Sequence, residues 1–191
     1  MEDLTLLMKS RTRRRTILGA TAVVALSLAL SSCGGGSPPS SSSSASSTLT
    51  NAIDQLNQGN DAVAVADFLA VIKKEPSNHI AWYNLGVIAE KAGQDTQAVR
   101  DYVASIAGDA TYVPALYNLA ILETPAHPTT AETLYQRVIN AQPGDAAAHL
   151  NLGFLLESLG ERMAGQEQLA RAVELEPTLN TRVPSSAESG G

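Results

Sequence analysis

The side chains able to do covalent or metal chemistry are few: one thiol, Cys33, and three imidazoles, His79, His127 and His149. A single cysteine excludes a disulfide framework and any cysteine-based zinc site. None of the histidines sits at a spacing that metal ligation requires. Proton transfer or nucleophilic attack needs a second titratable group at a defined place. The sequence has no Gly-x-Ser-x-Gly, no phosphate-cradling loop and no His-Glu-x-x-His. Neither an enzyme nor a metal or cofactor is expected. Charge narrows the partners further. The 191 residues carry a formal −6, but Lys9, Arg11, Arg13, Arg14 and Arg15 all lie in the first 32 residues. The remainder holds 8 basic against 17 acidic side chains, or −9. Nucleic-acid affinity rests on Lys and Arg neutralising phosphates, so no nucleic-acid partner is expected.

Cys33 takes its meaning from what precedes it. After the basic cluster, residues 17–30 are apolar or small without a charge. These 14 residues make about 21 Å of helix, short of a bilayer core of about 30 Å. Residues 1–32 therefore read as a secretory signal rather than a spanning helix. Glu2 and Asp3 are unusual in such a segment, and a start at Met8 instead of Met1 removes both. Leu30-Ser31-Ser32-Cys33 resembles the lipobox of bacterial lipoproteins. That resemblance implies cleavage before Cys33, a diacylated thiol and a membrane-anchored, extracytoplasmic protein. A thiolate is the one nucleophile here able to carry a thioether-linked lipid, and two or three chains anchor durably where one is marginal. The alternative is a signal peptidase site with Cys33 incidental. Arg14-Arg15-Thr16-Ile17-Leu18 also resembles the twin-arginine export motif, and the general secretory route is its alternative. Residues 34–47 comprise eight Ser, three Gly, two Pro and one Ala. Such a segment cannot offset its ordering entropy, so residues 33–47 are expected to form a flexible tether behind the anchor.

The body repeats itself. Trp82-Tyr83-Asn84-Leu85-Gly86 recurs as Leu116-Tyr117-Asn118-Leu119-Ala120 after 34 residues, and as His149-Leu150-Asn151-Leu152-Gly153 after a further 33. Ala98 and Tyr102 match Ala131 and Tyr135, then Gly165 and Leu169, and Ala64 and Phe68 extend the series backwards. Gly59, Gly93 and Gly160 fall between helical stretches, and Pro76, Pro143 and Pro177 close units. The pattern resembles the tetratricopeptide repeat family, with Trp82, Leu85, Gly86, Ala98 and Tyr102 at its signature positions. The resemblance implies an all-α, right-handed solenoid of about four helix–turn–helix repeats. Their expected limits are 48–78, 79–112, 113–145 and 146–177, with helices near 47–58, 61–74, 79–91, 95–107, 113–123, 129–141, 146–158 and 161–175.

Three departures stand out. The first unit has Thr48 where the family has a large aromatic residue, and Ala52 in place of Gly. The third is one residue short, with Glu123-Thr124-Pro125-Ala126-His127-Pro128 at its turn, and Thr129 with Glu132 offers a capping box for its second helix. No capping helix follows Pro177, so residues 178–191 read as a disordered tail. The face around Ala170 and Val173 is then expected to be partly open, a tolerated edge or a homodimer seam.

In this family the first helices of the units line a concave groove. Carried over by position, the residues facing it are Tyr83, Asn84 and Val87; Tyr117, Asn118 and Ile121; and Leu150, Asn151 and Phe154. The three asparagines form a ladder able to grip an extended peptide backbone, since an amide both donates and accepts. Their neighbours supply apolar pockets, and the alternative is that Asn is simply a frequent residue of the pattern. No basic residue lies among these positions, so a neutral or basic segment is the expected partner. His149 occupies the position of Trp82 and is expected to pack, with its ring at the groove rim. The resemblance implies a protein–protein adaptor or scaffold of the bacterial envelope. The alternatives are a pilotin-like assembly factor for a single secretion or pilus subunit, and a protein binding a small ligand or cell-wall fragment on Tyr83, Tyr117 and Phe154.

Overall fold

Apolar residues recurring every three or four positions, broken by glycine or proline every fifteen or so, fold into eight α-helices and a 3-10 turn among the described residues. The computed structural model describes residues 41–181 and 183. The helices are α1 (Ser41–Asn57), α2 (Asp61–Lys74), α3 (His79–Lys91), α4 (Asp95–Gly108), α5 (Val113–Glu123), α6 (Pro128–Ala141), α7 (Ala146–Ser158) and α8 (Arg162–Leu175), with the turn at Pro177–Thr181. No strand occurs among the described residues. Packing is tightest within the pairs α1/α2, α3/α4, α5/α6 and α7/α8. The second helix of each pair also packs on the first helix of the next. The result is an all-α solenoid of helix–turn–helix units. Cys33, the expected signal and residues 184–191 lie outside the described residues.

One packing rule recurs in every pair. A small residue in the middle of the first helix faces a large one in the second: Ala52 and Phe68, Gly86 and Tyr102, Ala120 and Tyr135, Gly153 and Leu169. All eight are buried. A Cβ added to Gly86 would lie 2.6 Å from Cδ1 and Cε1 of Tyr102, and one added to Gly153 would lie 2.7 Å from the Leu169 side chain. The large residue thus lies against the backbone of the partner helix. Burying each contributes about 1.5–3 kcal/mol. Between helices, Gly59, Gly93 and Gly160 have φ of 79°, 75° and 86°. At each the next residue's N–H donates to a carbonyl five residues back: Asn60 to Gln55, Gln94 to Ala89, Glu161 to Leu156, all at 2.9 Å. These bonds satisfy carbonyls that the helix end would otherwise orphan.

Four expectations are corrected. The first helix begins at Ser41, so residues 41–47 are not tether. Its inward stripe continues back from Leu56, Ala52 and Leu49 to Ala45, which is buried, and that packing overrides the low helix propensity of the serines. The chain beyond α8 is not wholly disordered: Leu179 in the 3-10 turn is buried against Leu150, Leu169 and Ala172, with Val183 beside it. These residues cover part of the edge expected to be open, although Ala170 remains exposed. At α6, Pro128 opens the helix after His127, and no side chain caps it, so the expected Thr129–Glu132 box does not form. Proline's fixed φ and missing N–H suit the first helical position without a cap. Finally, the His149 ring turns inward: Nδ1 lies 2.7 Å from Gln168 Oε1 and Nε2 lies 3.2 Å from the Pro143 carbonyl. Trp82 makes the equivalent contact, its Nε1–H donating to the Pro76 carbonyl at 2.8 Å.

The small-against-large rule gives a direct test. Gly86→Ala should lower unfolding free energy by about 1–3 kcal/mol, because Tyr102 has no space to retreat into. Gly144→Ala, whose added Cβ meets nothing within 4 Å, should change it by less than about 0.5 kcal/mol. Thermal or urea denaturation followed by circular dichroism at 222 nm compares them, and equal effects would refute the rule.

Candidate peptide-binding groove

The first helices of the units, α3, α5 and α7, carry the residues singled out from the sequence. Tyr83, Asn84, Val87, Tyr117, Asn118, Ile121, Asn151 and Phe154 are all partly exposed, whereas Leu150 is buried. Tyr83, Val87, Tyr117 and Ile121 border the central core. Leu150 and Phe154 instead join the C-terminal cluster with Leu169, Leu179 and Val183. The groove positions of the last repeat are thus enlisted to close the solenoid, which the repeat pattern alone did not disclose.

The asparagines are tied into the fold rather than left reaching outward. Asn84 Nδ2 donates to the Ile80 carbonyl of its own helix at 2.8 Å. Asn118 Nδ2 donates to Tyr102 Oη at 3.1 Å and its amide also bonds Tyr83. Asn151 Nδ2 donates to Tyr117 Oη at 2.9 Å. Asn118 and Asn151 therefore each reach back to a tyrosine of the preceding repeat. The ladder read from the sequence exists as a spacing, but the amide hydrogens of Asn118 and Asn151 couple one repeat to the next, and that of Asn84 stays within its own helix. Sequence reasoning missed Tyr102 Oη, Glu90 and Tyr112 as members of this network. Tyr102 Oη donates to Glu90 Oε2 at 2.9 Å. The Tyr83 ring meets Tyr112 edge-on at 5.4 Å between centroids and Tyr102 at 5.9 Å, and Tyr112 meets His79 at 4.8 Å. Tyr117 packs on Tyr135 at 6.1 Å. Among the described residues no ring contact joins Tyr83, Tyr117 and Phe154.

Charge on the three groove helices is one-sided. Glu90, Glu123 and Glu157 lie in the last turn of α3, α5 and α7, one per repeat. Helix C-termini already carry partial negative charge, so an acid there is disfavoured for helix stability and adds to a negative rim. The one Lys or Arg on these helices, Lys91, is bound to Asp61 Oδ2 at 2.7 Å. His127 Nδ1 lies 2.5 Å from Glu123 Oε2. Among the described residues no group of three His, Cys, Asp or Glu side chains could hold a metal ion. Two open surface depressions, of about 390 and 300 Å³, border His149, Gln168 and Arg171 and border Arg137 and Asn140, away from the groove tyrosines.

The tyrosine network fixes a pH response. Burial, then the Glu90 carboxylate, pushes the Tyr102 phenol far above its ordinary value. Burial likewise raises Tyr117, Tyr83 and Tyr112, the last to about 12, against the opposing amide bonds of Asn151 and Asn118 at Tyr117 and Tyr83. Below pH 10 the folded and unfolded chains both keep these protons, and stability does not depend on them. From pH 10 to about 12 the unfolded chain releases protons that the fold retains, so stability falls as pH rises. Tyrosinate absorbance near 295 nm should therefore lag behind free tyrosine and rise together with loss of helicity. Ordinary titration of all five tyrosines in a still-folded protein would contradict the network.

Residues 49–114 match the tetratricopeptide repeat family model. No curated protein matches the chain. Among solved structures, MamA superposes with a TM-score of 0.64 at 19% identity over 74% of this chain and 83% of that one. A tetratricopeptide repeat protein from Parabacteroides merdae ATCC 43184 gives 0.63 at 22% identity over 71% of this chain and 54% of that one. The first repeat domain of Spaghetti (RPAP3), bound to the HSP90 peptide SRMEEVD, gives 0.57 at 18% identity over 62% and 95%. At these identities the likeness is one of fold. Residues 49–114 thus carry tetratricopeptide repeat sequence, and the eight described helices have the solenoid fold of tetratricopeptide repeat proteins.

Proposed function

We propose that the protein is a protein–protein adaptor whose groove receives a neutral or basic, partly apolar segment of a partner. It is held at the extracytoplasmic face of a bacterial membrane by lipid on Cys33. Glu90 and Glu157, at equivalent positions in the last turns of α3 and α7, with Glu123 one position before their α5 equivalent Thr124, supply the negative charge that selects the partner in this reading. Three successive helices accept an electrostatically unfavourable acid at the same end, and no Lys or Arg on α5 or α7 offsets it. Tyr83, Val87, Tyr117 and Ile121 supply half-exposed apolar contact beside that rim, the mix of aromatic anchor and polar surround that binding surfaces use. That a relative of the same fold holds the HSP90 peptide SRMEEVD is in keeping with peptide binding. The acidic rim here calls for a peptide of opposite charge. Anchoring rests on the lipobox-like Leu30-Ser31-Ser32-Cys33.

The asparagines are poor probes of this site, because removing Asn118 or Asn151 uncouples the repeats. Ile121→Arg places bulk and positive charge in the groove without touching that network. It should reduce crosslinked partner at least about tenfold, equivalent to about 1.4 kcal/mol. Glu123→Gln with Glu157→Gln should weaken capture several-fold at low salt and less at high salt. Thr133→Arg, an exposed site on α6, should leave it unchanged. Equal capture by wild type and Ile121→Arg, at equal helicity, would remove the groove from consideration.

A further inference from the structure

The outward side of the second helices differs sharply between repeats. In α2 the exposed residues Ala62, Val63, Ala66, Leu69 and Ala70 lie on one helical face over about two turns, with Val63 49% and Leu69 51% exposed. The same repeat positions are Thr96, Gln97, Arg100, Val103 and Ala104 in α4. In α6 they are Thr129, Thr130, Thr133, Gln136 and Arg137, and in α8 Met163, Ala164, Glu167, Ala170 and Arg171, with Met163 83% exposed. The solenoid therefore does not require apolar side chains there, since later repeats place hydroxyls, amides and charges at equivalent sites. Apolar character on this side is strongest in the first repeat.

That repeat adjoins the proposed anchor. Helix α1 starts at Ser41, so residues 34–40 alone separate it from Cys33. Eight Cα–Cα steps span at most about 27 Å. Charge on α2 is arranged consistently. Its two acids are engaged, Asp61 by Lys91 at 2.7 Å and Asp67 by Asn51 Nδ2 at 2.5 Å. Lys73 is exposed at the C-terminal end of the apolar face. An apolar stripe ended by an exposed lysine, on the repeat nearest in sequence to the proposed anchor, matches a surface that settles into anionic headgroups.

We propose that the outer face of α2, centred on Ala66 and Leu69, lies on the lipid surface and holds the first repeat against the membrane. This rests on the reading of Cys33 as the anchor, and the test separates the two. Mass spectrometry of the N-terminal peptide first establishes whether Cys33 is acylated. An acylated Cys33 leaves no free thiol, so Ala66→Cys and Thr133→Cys, equivalent sites on α2 and α6, each take one environment-sensitive fluorophore. The mature proteins are reconstituted in phosphatidylethanolamine–phosphatidylglycerol vesicles. At site 66 the expected result is blue-shifted emission, quenched at least twofold by lipids brominated near the headgroup; at site 133 it is water-like emission without quenching. Acylated protein with site 66 unquenched overturns the membrane face while leaving the anchor intact. A blue shift without bromolipid quenching assigns the face to a protein neighbour and also overturns it. If Cys33 proves unacylated, the label is read on the Cys33→Ser background with vesicles added. Quenching confined to site 66 then keeps the face and retires the anchor, and its absence retires both.

Discussion

Everything in this molecule depends on how closely two antiparallel helices approach within one repeat. Ala52, Gly86, Ala120 and Gly153 remove a side chain where Phe68, Tyr102, Tyr135 and Leu169 need room. A large residue seated on a partner's backbone fixes both the separation and the register of the pair. The positive-φ glycines then set how soon the second helix starts. Because the contact is local in sequence, each pair forms from neighbouring residues, and the solenoid grows by stacking pairs whose outer faces match.

Stacking needs its own bonds, and these occupy the residues that looked most like a binding device. Asn118 and Asn151 reach back to phenols of the preceding repeat, so the face that carries them is tied together by its own amides. The tyrosines serve both ends: the buried hydroxyl of Tyr102 holds Glu90 and receives Asn118, while Tyr83 and Tyr117 leave part of their rings to the groove. The C-terminal end is handled differently. Leu150 and Phe154 gather Leu179 and Val183. The two ends of the array are therefore unlike, one closed by its own chain and the other presenting an apolar outer helix.

Much of the fold could be read directly. Seven helices lie within one residue of the spans drawn from the repeat spacing, and Gly59, Gly93 and Gly160 stand where helix-ending turns were expected. Each is a local matter of periodicity and backbone freedom. The errors came where packing outweighed composition. Serines at 41–44 signal a coil, yet Ala45 is drawn into the helix by burial. Residues 178–181 look like a tail until Leu179 finds the exposed end of α8.

By itself the sequence determined the repeat, the small-and-large residue pairs, the acidic balance of the body and the lipobox-like run before Cys33. All of these are properties of residue type and spacing along the chain. Only the tertiary structure decided which side chains the groove keeps for itself. The direction of an amide depends on a phenol 16 or 34 residues away, and the position code for Asn is the same whether its hydrogens face a neighbour or a ligand. The outer face of α2 was likewise decided in three dimensions. Ala, Val and Leu read as core in a linear pattern, and only packing shows which of them have nothing against them.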